Sequence, residues 1–282
     1  MKIKVKTARL SVLSNTFLIL IKLITGILSG SVSIISEAIH SSMDLIAALI
    51  AFFAVKVSDT PPDSKHPYGH GKVENISGVT EALLIVGAAV WIIVEAVKRL
   101  LGGEAVLESL WLGSAVMAIS ALVNWIVSKR LYKVARETRS LALEADALHL
   151  RTDVYTSAGV AAGLGLIILT DIEWLDPVIA IIVALYIIKE SGELLKRAFW
   201  PLMDSSWAKE ELKALEDKLD EMGVIYHDLR TRKAGNYRFI DIHVEVAGKE
   251  SVSDAHKYCD EIEEKLMGLF ENLNMTIHVE PK

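Results

Sequence analysis

Long apolar blocks fill the first two-thirds of the chain, and after about Asp204 they give way to a charged, alternating pattern. A helix that crosses a bilayer needs roughly 20 mostly apolar residues. Six blocks reach that length, at about 8–30, 32–57, 75–101, 108–133, 145–170 and 174–198. Several carry polar residues in their interior: Asn15, Lys22, His40, Asp44, Glu81, Asn124, His149 and Asp153. Polar side chains at membrane depth face a bundle interior or a water-filled path. The pattern predicts a membrane α-helical bundle of six transmembrane helices over residues 1–205, built around a polar centre.

Residues 206–282 read differently. WAKEELKALEDKLDEMG has the helical period and a stop at Gly223. VIYHDLRTRKAG and YRFIDIHVEVAG read as two strands around a Gly-Asn turn. SVSDAHKYCDEIEEKLMGLF is a helix with a serine near its start, and NMTIHVEP is a last strand. The order αββαβ predicts a small cytoplasmic α+β domain, ferredoxin-like, with its helices on one face of a three-stranded sheet. Alternation along FIDIHVEV turns Ile240, Ile242, Val244 and Val246 to the core and Asp241, His243 and Glu245 away from it. In TIHVE it turns Ile277 and Val279 inward and Thr276, His278 and Glu280 outward.

Composition agrees. A hydrophobic share of 52% and a mean hydropathy of +0.37 exceed those of an ordinary soluble domain. A net charge of -6, with no basic patch carrying interleaved aromatics, argues against nucleic acid as a partner. Cys259 is the one cysteine, which excludes an internal disulfide and suits a reducing compartment; it reads as a packed helix residue. The basic start MKIKVKTARL leads into a spanning run without a small-residue cleavage signature, the pattern of an uncleaved first transmembrane helix. Lysine and arginine gather at the N-terminus, between blocks two and three, between four and five, and after six; the opposite connections carry only Lys98 and Arg99. Both termini and the C-terminal domain are therefore expected in the cytoplasm. G-x-x-x-x-G-K-[ST], His-Glu-x-x-His and G-x-S-x-G are absent, so the expectation is not an enzyme.

Three constellations suggest metal chemistry. AIHSSMDLIA sets His40 and Asp44 four residues apart, on one face of a helix, and ALHLRTDV repeats the spacing with His149 and Asp153. If the two faces meet, two nitrogens and two oxygens converge, the number and kind of donors a tetrahedral divalent ion such as Zn2+ takes. A polar helix–helix contact is the alternative for either pair alone; two copies in separate spans favour the metal. The connection SDTPPDSKHPYGHGKVEN offers Asp63, His66 and His70 as a second site near the cytoplasmic mouth, against the alternative of an exposed polar loop. On the helix-free sheet face His243, His278 and Glu280 can share a third site, which His227 can join; unrelated surface histidines are the alternative there.

The six spans, the paired motifs of helices two and five, HPYGHGKVE after helix two, LMD after helix six and the αββαβ tail with HDLRTR resemble the cation diffusion facilitator family. The likeness is to its bacterial zinc/proton antiporters and covers nearly the whole chain. It implies a homodimer in the cell inner (plasma) membrane that alternates between inward-facing and outward-facing states. Such a dimer exports divalent metal, foremost Zn2+ with Cd2+, Fe2+, Co2+ or Mn2+ as further candidates, against incoming protons. It implies a transport site at His40, Asp44, His149 and Asp153 and a loop site at Asp63, His66 and His70. It also implies a regulatory cytoplasmic site at His227, His243, His256, His278 and Glu280, and a charge interlock between Lys72 and Asp204 near the dimer interface. Bacterial relatives usually have aspartate where this chain has His40 and Glu280; two histidines with two aspartates is the pattern of zinc-preferring members. Metal requires neutral imidazoles and ionised carboxylates, so loading releases protons, and a group with a reference pKa near ~6.5 exchanges its proton across the physiological range. The rival expectation is a membrane-anchored metal sensor without transport; the intramembrane His/Asp pairs argue against it, because an anchor gains nothing from them.

Overall fold

A computed structural model describes residues 2–29, 32–102, 110–170 and 174–282, leaving out the side chains of 2, 29, 32–34, 36, 37, 40, 110–114, 160–170 and 176. The chain divides into two units, Met1–Ala198 and Phe199–Lys282. The first holds six long helices: α1 (Lys2–Ser29), α2 (Val32–Ser58), α3 (Lys72–Leu100), α4 (Leu110–Thr138), α5 (Leu141–Thr170) and α6 (Leu175–Phe199). Each follows one apolar block of the sequence. The helices overrun their blocks at the start of α1, which begins at Lys2, and at the junction of α4 and α5, which continue to Thr138 and start at Leu141. There Val134, Ala135, Ala142 and Leu143 are buried with Ala8, Ala54, Val55 and Leu131, so packing sustains helix beyond the point where average hydropathy drops. Small residues at these contacts let helix backbones approach, as membrane interfaces require. Among the described residues, Ile3–Leu28, Ser41–Ser58 and Lys72–Leu100 are long and apolar enough to cross a membrane by length and composition.

One end of the bundle is tied by a buried polar cluster. Lys4 Nζ lies 2.6 Å from Asp59 Oδ1 and 3.0 Å from Glu74 Oε1. Ser58 Oγ donates to Glu74 Oε1 at 2.8 Å, and Ser140 Oγ to Glu74 Oε2 at 2.5 Å. The cluster joins the start of α1, the end of α2, the start of α3 and the residue just before α5. A buried carboxylate is tolerable there because a cation and two hydroxyls satisfy it.

The second unit opens with a 3₁₀ turn (Trp200–Met203), followed by α7 (Lys209–Glu221), β1 (Tyr226–Ala234), β2 (Tyr237–Val246), α8 (Val252–Leu269) and β3 (Leu273–Pro281). The sheet order is β1-β2-β3, with β1 antiparallel and β3 parallel to β2. Gly223 ends the α7 region at φ 67°, and Gly235 at φ 60° starts the two-residue hairpin, both conformations that suit glycine. Ser251 Oγ caps α8 by accepting from the Asp254 amide at 3.2 Å. Leu215 and Leu219 of α7 and Ile262 and Leu266 of α8 pack with Ile240, Ile242 and Val244 of β2, so the inward face of β2 is the one its alternation predicts.

Arg238 is a charged member of this core. It donates to Glu211 Oε1 at 2.8 Å and to the Glu271 carbonyl at 3.1 Å, and Lys233 also donates to Glu211. Burial pushes the Glu211 carboxyl up, but Lys233 and Arg238 outweigh that and hold it below its ordinary 4.5. A depressed carboxylate contributes stability above its unfolded value and loses it as pH falls through the folded one. Glu211→Gln is therefore expected to destabilise this unit at pH 7 by about 2–3 kcal/mol, less than a fully buried pair because Glu211 is partly exposed. The difference should shrink as pH falls below 4.5, when the unsubstituted carboxylate takes up a proton. Denaturant unfolding of segment 199–282 across that range measures both.

Candidate metal centres

Asp44 of α2 and the His149–Asp153 pair of α5 meet at one place in the bundle. His149 Nε2 lies 3.2 Å from Asp44 Oδ1. Asp44, His149 and Asp153 each offer a ligand atom, all within 4.8 Å of one another. The His40 side chain lies outside the described residues; its backbone is one turn before Asp44 on α2. Surrounding groups hold the acids in place. Asn124 of α4 donates to Asp153 Oδ2 at 3.1 Å, and Asn15 of α1 donates to the Asp44 carbonyl at 3.4 Å. His149 Nδ1, Asn124 Oδ1 and Ser120 Oγ are buried without a hydrogen-bond partner. Asp44 and Asp153 also line a cavity of about 90 Å³ with Lys22, Ser41, Ser120 and Asn124.

Sequence reasoning passed over Asp146, one turn before His149 on α5. It is wholly buried and accepts from Ser11 Oγ at 3.0 Å; Glu81 on α3, equally buried, accepts from Ser77 Oγ at 3.0 Å. The available signal was an aspartate three residues before a histidine inside an apolar helix.

The loop residues Asp63, His66 and His70 also come together within 4.8 Å. Asp63 Oδ1 accepts from the amides of His66 at 2.7 Å and Lys65 at 2.8 Å. The His66 amide, with Lys65 adding to it, holds this exposed carboxyl below its ordinary value. His70 Nδ1 lies 3.3 Å from the Thr60 carbonyl, and its Nε2 lies 3.4 Å from Asp63 Oδ2. A proton held on Nδ1 by that carbonyl leaves the Nε2 lone pair facing the carboxylate, the arrangement typical of a ligating histidine.

In the second unit Glu280 is the centre. Its carboxylate lies 3.1 Å from His243 Nδ1, 3.3 Å from His227 Nε2 and 3.3 Å from His278 Nε2. The cross-strand pairs His227 with His243 and His243 with His278 align the three imidazoles in a row. Glu245, beside Glu280 in register, adds an oxygen 3.8 Å from His227 Nδ1; it was legible as outward-facing but not as a member of the group. His256 lines a cleft with Glu280 but stands outside the group around that carboxylate. It lies on α8, whose buried face packs on the opposite side of the sheet, and its Nε2 pairs with Asp260 at 3.9 Å on the same helix. Within one chain it is not brought to the other histidines. Cys259 is buried on α8, and burial pushes its thiol up, as suits a packed residue.

Comparison with known proteins supplies the family. The cation efflux transmembrane domain matches residues 8–203, and the cation efflux protein cytoplasmic domain matches 208–282. An uncharacterized transporter of Synechocystis is 37% identical over 257 residues, 90% of this chain and 83% of its own. The cation-efflux pump FieF of Shewanella oneidensis is 30% identical over 278 residues, 97% of this chain and 93% of its own. Among solved structures, the Zn form of CzrB is 40% identical, covering 28% of this chain and 93% of that chain at a TM-score of 0.27. The metal-bound C-terminal domain of the CzcD transporter from Thermotoga maritima is 32% identical, covering 27% and 94% at a TM-score of 0.25. With two domain matches that together span almost the whole chain, polar membrane helices and an α+β tail, this protein belongs to the cation efflux, or cation diffusion facilitator, family of metal-exporting membrane transporters.

Proposed function

We propose that the chain works as a homodimer in the plasma membrane, both termini cytoplasmic, exporting divalent metal, Zn2+ foremost, in exchange for protons by alternating access. The observation that carries this reading is the convergence of Asp44, His149 and Asp153 from two helices. His40 supplies the fourth donor from its place one turn before Asp44. Tetrahedral nitrogen and oxygen ligation at about 2.0–2.2 Å suits zinc. His149 Nε2, the atom 3.2 Å from Asp44, can hold a proton or a metal but not both. That exclusion is the chemical core of antiport: protons arriving from outside displace the metal, and metal loading from the cytoplasm releases protons.

The arrangement of the bundle supports a state closed to the cytoplasm. Lys4 and Lys22 stand about 27 Å apart along α1. The Lys4–Asp59–Glu74 cluster ties the end that the lysine and arginine pattern assigns to the cytoplasm, and the cavity lies beyond Asp44 on the other side. The loop group and the Glu280 group would then sample cytoplasmic metal, with zinc at Glu280 drawing the two C-terminal domains of the dimer together. The test is zinc flux in proteoliposomes under imposed pH gradients. Flux driven by an opposing proton gradient is expected. Zinc binding without flux in either gradient direction would overturn the reading in favour of an anchored sensor.

A further inference from the structure

Between the Lys4–Glu74 cluster and the Asp44–His149 contact the helices carry further buried polar residues: Thr7 and Ser11 of α1, Ser77 and Glu81 of α3, and Asp146 of α5. Ser11 and Glu81 lie two turns, about 10 Å, beyond Lys4 and Glu74 on their helices, and Asp146 lies one turn before His149. Ala82 and Ile85 pack with Ala145 and Leu148, which brings α3 and α5 together beside the two acids. Glu81 and Asp146 are wholly buried. Each accepts one hydrogen bond, from Ser77 and from Ser11, and each keeps a buried oxygen, Glu81 Oε2 and Asp146 Oδ2, without a hydrogen-bond partner. The two hydroxyls are neutral and offset no charge, and the charged groups acting on Glu81 are Asp146 and His149. Ala47 and Ala48, one turn from Asp44 on α2, are buried and offer no donor. Acids buried this fully in membrane helices are costly and mark ion paths.

We propose that Glu81 and Asp146 form a way station for the divalent cation on its route from the cytoplasm to Asp44, His149 and Asp153. The inference rests on that group being the transport site and on the Lys4 end of the bundle being cytoplasmic. When that end parts, an ion leaving water meets two carboxylates whose charges together equal its own. Their unpartnered oxygens are hard donors, suited to a divalent ion that still holds part of its water shell. Two oxygens without a nitrogen make an incomplete tetrahedral set, so the ion passes on to the site one turn away, where His149 adds its nitrogen. Glu81 and Asp146 are thus determinants of loading that take no part in the final ligation.

The test is zinc flux of the full chain in proteoliposomes, followed against zinc concentration on the loading side, with protons counted per zinc. Equilibrium zinc titration in lipid nanodiscs accompanies it. Glu81→Gln and Asp146→Asn keep the side-chain shape and remove one charge each. Each should raise the KM for zinc about tenfold or more, because charged clefts change on-rates by that order. The maximal rate, the equilibrium affinity of the transport site and the protons per zinc should stay as in the unsubstituted chain. Glu81→Asp keeps the charge and should load better than Glu81→Gln. Asp153→Ala identifies which class of binding belongs to the transport site. If it removes no class, the transport-site reading fails and the way station with it. If it removes one but both neutral variants keep the unsubstituted KM, the way station alone is overturned. A fall in protons per zinc in either neutral variant would make the acids proton carriers and overturn it as well. Should Asp146→Asn not fold, Glu81→Gln and Glu81→Asp decide together, and an equal KM in the two counts against the proposal.

Discussion

Asp153→Ala is expected to bring metal transport down to the background of empty vesicles while the dimer still assembles. In the proposed transport site Asp153 is one of two carboxylates that would offset a divalent ion, and the side chain beside it, Asn124, is neutral. Removing it would leave the proposed four-donor site one donor short of a closed tetrahedron. The fold should tolerate the change, because Asp153 lines a cavity instead of belonging to the Lys4–Glu74 cluster that ties the helix ends. Zinc uptake into vesicles and the elution volume of the detergent-solubilised dimer are the two readouts. Uptake at the unsubstituted rate would show that metal crosses by another route.

Glu280→Ala should have the largest effect outside the membrane. One carboxylate touches three imidazoles, so its loss removes the charge that holds His227, His243 and His278 as a set. Changes to residues that merely support a metal ligand already cost about 10–100-fold in affinity. Loss of the central acid should therefore cost more than about 100-fold in the zinc affinity of segment 199–282, followed by calorimetry. In the full dimer, distances between labels on the two C-terminal domains should stop responding to zinc. Acidic stretches such as EELKALEDKLDE would then repel across the dimer without a cation between them. Undiminished affinity in Glu280→Ala would place the zinc on other residues, with Glu245 the first to examine.

Local repetition carried most of the architecture. The six apolar blocks became six helices, and the turn glycines Gly223 and Gly235 fell where positive φ was needed, because these features depend on a residue and its near neighbours. The repeated spacing of four marked Asp44, His149 and Asp153 for the same reason: a helix turns the same angle at every step. Likewise, strand alternation sorted His243, His278 and Glu280 from Ile240 and Ile242. The place of His256 was not legible, because only the packing of α8 says what its histidine can reach.

His227 shows the limit most clearly. From the buried Thr231 opposite Ile240, strict alternation would carry Leu229 and then His227 into the core. Instead Asp228 adopts φ 50° and the register slips between His227 and Arg230, so that Asp228 and Leu229 together face Ile242. That bulge turns Tyr226 inward and His227 outward, opposite His243. A period is written in the sequence because it is local. A bulge is chosen by the partner strand, which decides whether one extra residue improves the packing of both faces. The sequence by itself thus determined the helices, the strands and the residue types of each site. The tertiary structure alone decided that His227 joins Glu280, that Lys4 and Ser140 meet on Glu74, and that Lys22 shares a cavity with Asp44 and Asp153, because each of these depends on elements that come together only when the chain is folded.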